Sequence, residues 1–210
     1  MSDFAERRRA TEQLAVSVRA LADAAAETAV EPTVLDDVRA QLELLTAQLR
    51  AAVHDGAYSG LVEPPVDFSL PENPMPLNPI IGACNPTRPD VQLRYADGEV
   101  VGTATFTRRF TGPPGFTHGG ISAMLADQIV AVTGGAVGTR CITKALHVRF
   151  RRPLPLDEPI ELWGVCDLSD ETNITARYTM TAGGEVAVEG TAELVPFTRL
   201  AERNDLPTTR

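Results

Sequence analysis

The sequence predicts an α+β chain: a curved antiparallel sheet wrapped around one central helix, behind an N-terminal helical extension. Three observations carry this reading. From residue 91 onward the elements run strand, strand, helix and then four strands, all joinable by short loops. Without repeated crossover helices, that order favours antiparallel over parallel pairing. The one helix among them, within HGGISAMLADQIVAVTGG, is apolar on nearly every face, so it is expected to be enclosed. Residues 4–54, by contrast, are rich in Ala, Leu, Arg and Glu, lack Gly and hold Pro32 as their only Pro.

In chain order, residues 1–54 form the helical extension. Leu14, Val18, Leu21 and Ala25 recur at helical spacing, followed by Leu35, Val38, Leu42, Leu45 and Leu49 at alternating steps of three and four. Thr33, with Asp36 three residues on, reads as the cap of the second helix just after Pro32. The apolar stripe is narrow and needs a partner surface, with packing inside the protein the expected one and a second subunit or an acyl-binding face the alternatives. Residues 55–90 are a Pro-rich segment (Pro64, Pro65, Pro71, Pro74, Pro76, Pro79, Pro86 and Pro89) that excludes regular helix and central strand. Leu77, Ile80 and Ile81 within it predict wrapping over a surface. The main domain spans 91–200, ahead of a tail at 201–210. VQLRYAD and VVGTATFTRRF read as strands joined at Asp97-Gly98; CITKALHVRF, PIELWGVCDL, NITARYTMTA and EVAVEGTAELVPF follow the helix, the last two joined at Gly183-Gly184. A long curved antiparallel sheet around a single helix is the hot-dog architecture.

Composition excludes several classes. With 210 residues and 43 % hydrophobic content the chain is neither disordered nor too short for a sizeable core. No run approaches the ~20 apolar residues that span a bilayer, and the polar start Met1–Arg9 reads as neither secretory signal nor anchor, so a cytoplasmic location is expected. Cys84, Cys141 and Cys166 form neither a disulfide framework nor a zinc pattern. A net charge of −9 argues against nonspecific nucleic-acid binding. Yet no acidic residue lies between Asp127 and Asp157, a stretch that holds Arg140, Lys144, Arg149, Arg151 and Arg152. That local reversal suggests a site for an anionic ligand such as a phosphorylated small molecule; a solvated strand edge charged against aggregation is the plainer reading.

The chemistry concentrates on the apolar helix. Asp127 sits among Met124, Leu125, Ala126, Ile129 and Val130 with no salt-bridge partner in sequence. A buried carboxylate is costly unless hydrogen-bonded, and apolar surroundings raise its pKa, which marks a general base or nucleophile; a tertiary Arg partner would be the structural alternative. His118 precedes Gly119-Gly120 at the helix start, where unpaired N–H groups and the helix dipole meet residues without a Cβ. An oxyanion hole needs this geometry, although Gly-Gly also serves simply as a tight entry into a helix. Gly120 and Asp127 lie two turns apart on one face.

The stretches FTGPPGFTHGGISAMLADQIVA and ITKALHVRFRRPLPLDEPIEL resemble the hot-dog acyl-CoA thioesterases of the phenylacetate-degradation type, within the 4-hydroxybenzoyl-CoA thioesterase superfamily, and most closely their long-chain branch. The likeness spans about residues 75–197. It implies hydrolysis of acyl-coenzyme A to free acid and coenzyme A, with no metal or organic cofactor, by homodimers or dimers of dimers whose sites lie between subunits. It implies Asp127 as general base or nucleophile, the Gly119 backbone as donor to the thioester carbonyl, His118 as its helix-start partner, and Thr143 as the residue that orients the attacking water. The family's Asn six residues before the His is Gly112 here, so amide assistance is missing. The helix start and the carboxylate of one site would come from different subunits.

Strand parity opposes Thr143: Leu146, Val148 and Phe150 should face the helix, which turns Thr143 away unless a bulge or interface position intervenes. Gly120 and the cations Arg149, Arg151 and Arg152 are expected to bind substrate, the arginines by charge complementarity to coenzyme A phosphates. His147 reads as surface or interface, Trp163 as packing, and Cys141 as inert for want of an activating neighbour. An acyl-carrier-protein thioesterase, a non-catalytic acyl-CoA binding protein and a scaffold recruiting a partner through its N-terminal helices are the alternatives.

Overall fold

The computed structural model describes residues 3–53, 61–62, 66–168 and 174–197; the tail at 201–210, Pro64 and Pro65 lie outside the described residues. Six strands form one antiparallel sheet: β1 (Asp90–Ala96), β2 (Glu99–Thr105), β3 (Cys141–Phe150), β4 (Ile160–Asp167), β5 (Ile174–Ala182) and β6 (Glu185–Pro196). Their order is β1-β2-β4-β5-β6-β3, which leaves β1 and β3 as edges. Tight turns make the hairpins possible. Asp97 (φ 50°) and Gly98 (φ 81°) are both left-handed, as are Gly183 and Gly184, the pattern of a two-residue turn that matches strand twist. The expected second strand stops early, because Arg108–Phe110 is a turn of 3₁₀ helix that carries the chain across to the central helix.

The central helix, here α3 (Gly119–Ala136), lies on the sheet and buries Ser122, Leu125, Ala126, Gln128, Ile129, Val130, Val132, Thr133 and Gly134. These meet Val91, Leu93, Val100, Ala104, Phe106, Leu154, Ile160, Leu162, Ile174, Tyr178, Met180, Val188 and Leu194 in one core. The hot-dog architecture is therefore the one observed. Close approach has specific requirements: a Cβ on Gly164 would stand 2.6 Å from Ile129 Cγ2, and one on Gly135 would stand 2.3 Å from the Tyr95 hydroxyl.

In the Pro-rich segment Ile80 and Ile81 are buried. Asn78 secures it: its Oδ1 accepts from the N–H groups of Ile80 and Ile81, and its Nδ2 donates to Gln128 Oε1 of α3 at 2.7 Å. Two N-terminal helices precede it, here α1 (Asp3–Glu27) and α2 (Pro32–Arg50). The first docks through polar contacts, with Asp23 accepting from Thr107 Oγ1 at 2.6 Å and pairing with Arg109 Nε at 2.7 Å, and Arg19 donating to the Asn85 carbonyl at 2.7 Å. The second differs from expectation twice. Its N-cap is Glu31 and not Thr33, because Pro32 with its fixed φ already occupies the first helical turn. It buries no residue, and Leu35, Val38, Leu45 and Leu49 are exposed, so most of its apolar stripe is not packed against the described residues.

Candidate active site

The start of α3 is held from three sides. The His118 N–H donates to the Phe110 carbonyl at 2.9 Å, the Thr117 N–H to the Leu154 carbonyl at 2.9 Å, and the Gly112 N–H to the Phe116 carbonyl at 2.9 Å. The segment Leu154–Pro155 thus braces the helix entry, with Phe116 bridged to Pro155. His118 is the N-cap, and its Nδ1 accepts from the Gly120 N–H at 3.0 Å. A neutral imidazole accepting at Nδ1 carries its proton on Nε2.

This capping separates the two glycines. The Gly120 N–H is consumed by His118, whereas the Gly119 N–H has no acceptor among the described residues. A Cβ on Gly119 would touch only the edge of the Phe150 ring, at 3.7 Å, so packing within the chain does not demand glycine there. Gly112 is different. A Cβ there would lie 2.7 Å from His118 Cα, so the position that carries an amide in the resembling family is filled here by the backbone of the helix entry.

Asp127 corrects the reading of a carboxylate buried in apolar surroundings: it is exposed. The reason is helical phase. Leu125, Ala126, Ile129 and Val130 turn to the sheet, whereas Gly120, Met124 (37 % exposed) and Asp127 fall on the stripe that points away from it. The enclosure expected of an all-apolar helix is thus incomplete, and one stripe of α3 is left uncovered by the described residues. Phe116 and Phe150, both exposed, lie near the helix entry, Phe150 against Gly119.

A bulge resolves the parity of Thr143. On β3 the pairing with β6 shifts between Thr143, opposite Leu194, and Ala145, opposite Glu193, leaving Lys144 as the extra residue. Cys141 before the bulge and Leu146 and Val148 after it all pack on the core, so Thr143 shares their side. Its hydroxyl is buried without a hydrogen-bond partner among the described residues. A Cβ on Gly134 would sit 2.8 Å from Cys141 Sγ, which sets the level of the strand along the helix. Counting back at ~3.3 Å per strand residue and ~1.5 Å per helix residue puts Thr143 and Asp127 at levels within about one turn of each other along the helix axis.

The three arginines are not equivalent. Arg151 pairs with Glu189 at 2.5 Å, Arg152 pairs with Glu185, and Arg149 has no such partner among the described residues. The Arg151 guanidinium draws the Glu189 carboxyl below its ordinary pKa. Burial pushes the Cys141 thiol up to about 11, away from the thiolate, in line with its reading as inert. Among the described residues no three His, Cys, Asp or Glu side chains converge as a metal site would require, and no helix is long and apolar enough to cross a membrane. Sequence reasoning missed Asn78 and the exposure of Met124; a helical wheel phased on the sheet-facing residues would have found the latter.

No family model matches the chain. A 46-residue segment is 39 % identical to the human acyl-coenzyme A thioesterase THEM5; it amounts to 22 % of this chain and 19 % of that protein, so the match spans about a fifth of the curated relative. A crystallised thioesterase superfamily protein superposes with a TM-score of 0.75 at 29 % identity, over 88 % of this chain and 94 % of its own. A hypothetical thioesterase from Streptococcus pneumoniae, solved with coenzyme A, aligns with 51 % of this chain and 89 % of its own at 21 % identity and a TM-score of 0.48.

Proposed function

We propose that this chain, whose structural neighbours are thioesterase superfamily proteins, is a thioester hydrolase that converts acyl-coenzyme A and water to free acid and coenzyme A. One observation carries the reading. On a fold shared over 88 % of the chain with such a protein, the uncovered side of α3 presents an open backbone donor at Gly119 and a solvent-facing carboxylate at Asp127. The thioester carbonyl accepts from the Gly119 N–H. Asp127 takes a proton from water as the water oxygen bonds to the carbonyl carbon, and Thr143 orients that water. The oxyanion collapses, the C–S bond breaks, and the thiolate of coenzyme A leaves and is protonated.

Gly119 and Asp127 are eight residues apart, about 12 Å along the helix axis, whereas reacting groups must approach within ~3–3.5 Å. One chain therefore cannot bring both to the same carbonyl. A homodimer that sets the helix start of one copy against Asp127 of the other meets the requirement, and the exposed Met124, Phe116 and Phe150 supply apolar surface beside it. Arg149, Arg151 and Arg152 face the phosphates of coenzyme A, with Arg149 the one not held in a salt bridge to a described residue.

Thiol release from short, medium, long and aromatic acyl-coenzyme A tests the reading. Asp127→Asn is expected to fold normally and lose turnover by at least about a hundredfold. Unchanged hydrolysis in that variant would overturn the assignment.

A further inference from the structure

The outer face of the sheet, opposite α3, carries a cleft of about 460 Å³ across β4, β5, β6 and β3. Side-chain height makes it. Thr179 and Thr191 form a low floor, while Trp163 and Arg177 rise on one side and His147 and Arg149 on the other. Register fixes the layout: Trp163 stands opposite Thr179, Thr179 opposite Glu189 and Glu189 opposite Arg149 in one row, and Arg177, Thr191 and His147 form the next. At ~4.8 Å per strand the first row spans about 14 Å from the indole to the far guanidinium.

Cations outnumber carboxylates in the cleft lining, with Arg149 and Arg177 against Glu189. Arg177 has no carboxylate partner among the described residues; Arg149 stands opposite Glu189, whose carboxylate is engaged by Arg151 at 2.5 Å. In a chain of net charge −9, the cleft sets Arg149 and the unpaired Arg177 beside threonine hydroxyls, against a single carboxylate already bound by Arg151. The indole is pinned in place, since Trp163 Nε1 donates to Glu99 Oε2 at 2.7 Å, and a fixed aromatic wall is a stacking surface. The volume falls within the ~300–1,000 Å³ of small-molecule sites.

We propose that this cleft binds a ligand of the nucleotide class, a planar ring joined to phosphate, with the ring against Trp163 and the phosphate between Arg149 and Arg177. Two sources share that chemistry, a free nucleotide and the nucleotide end of an acyl-coenzyme A; only the second rests on the hydrolytic reading. Trp163 is the single tryptophan, so fluorescence of the full chain reports occupancy directly. Titration with 5′-AMP and with adenosine 3′,5′-bisphosphate is expected to give a saturable change, weakened about tenfold or more by Arg177→Gln. No saturable response to either nucleotide, or one that Arg177→Gln leaves untouched, would overturn the site whether or not the protein hydrolyses thioesters. A KM raised for acyl-coenzyme A but not for acyl-pantetheine in Arg177→Gln assigns the substrate's nucleotide; AMP affinity lost with both KM values held assigns a free one.

Discussion

At the scale of single residues, exposure and close approach decide what each substitution reports. Gly119→Ala places a methyl group in ordinary contact with Phe150 and beside the one open N–H, so the melting temperature should hold while turnover falls. Gly112→Ala drives a methyl group to 2.7 Å from the His118 backbone and is expected to cost about 1–3 kcal/mol, read as a lower denaturation midpoint. Cys141 offers a pH test. Its thiol is held protonated to about 11 against an ordinary 9.0, so the native state binds the proton more tightly than the unfolded chain does. That stability is complete below pH 9 and is lost as pH rises through about 11. In reducing buffer the fall in denaturation midpoint across this window should be shallower in Cys141→Ala. The helix start at His118-Gly119-Gly120 was legible because a capping side chain followed by glycines marks an entry into a helix. The exposure of Asp127 was not, because an apolar neighbour in sequence need not be a neighbour on the same helical face.

Elements show a similar division. Strand order along the chain, turn positions and the span of α3 followed from alternation, Asp-Gly and Gly-Gly turns and a long apolar run. The extra residue at Lys144 follows from no local pattern, since a bulge is set by how two strands pair over their whole length. The Pro-rich segment shows how an irregular stretch is tied to a regular one. Gln128 is buried and its carbonyl accepts from Asn78, so Asn78→Ala removes that donor and is expected to cost about 1–3 kcal/mol. Hydrogen exchange should then quicken in residues 75–85 before it quickens in α3. Replacing Asp23 by Ala removes the acceptor of Thr107 and the ion-pair partner of Arg109 and should loosen α1 while the sheet keeps its protection.

For the molecule as a whole, the strand order has a consequence during synthesis. The strand that follows the central helix sits at the sheet edge, and its neighbour there is β6 (Glu185–Pro196). The polypeptide must therefore emerge from the ribosome as far as that closing strand before either partner can zip up. Until then a greasy helix and two unpaired strand edges stay open to chaperones and to other nascent chains. A nascent polypeptide stopped just before Glu185 should be captured by a chaperone and digested rapidly. One released after Pro196 should resist protease.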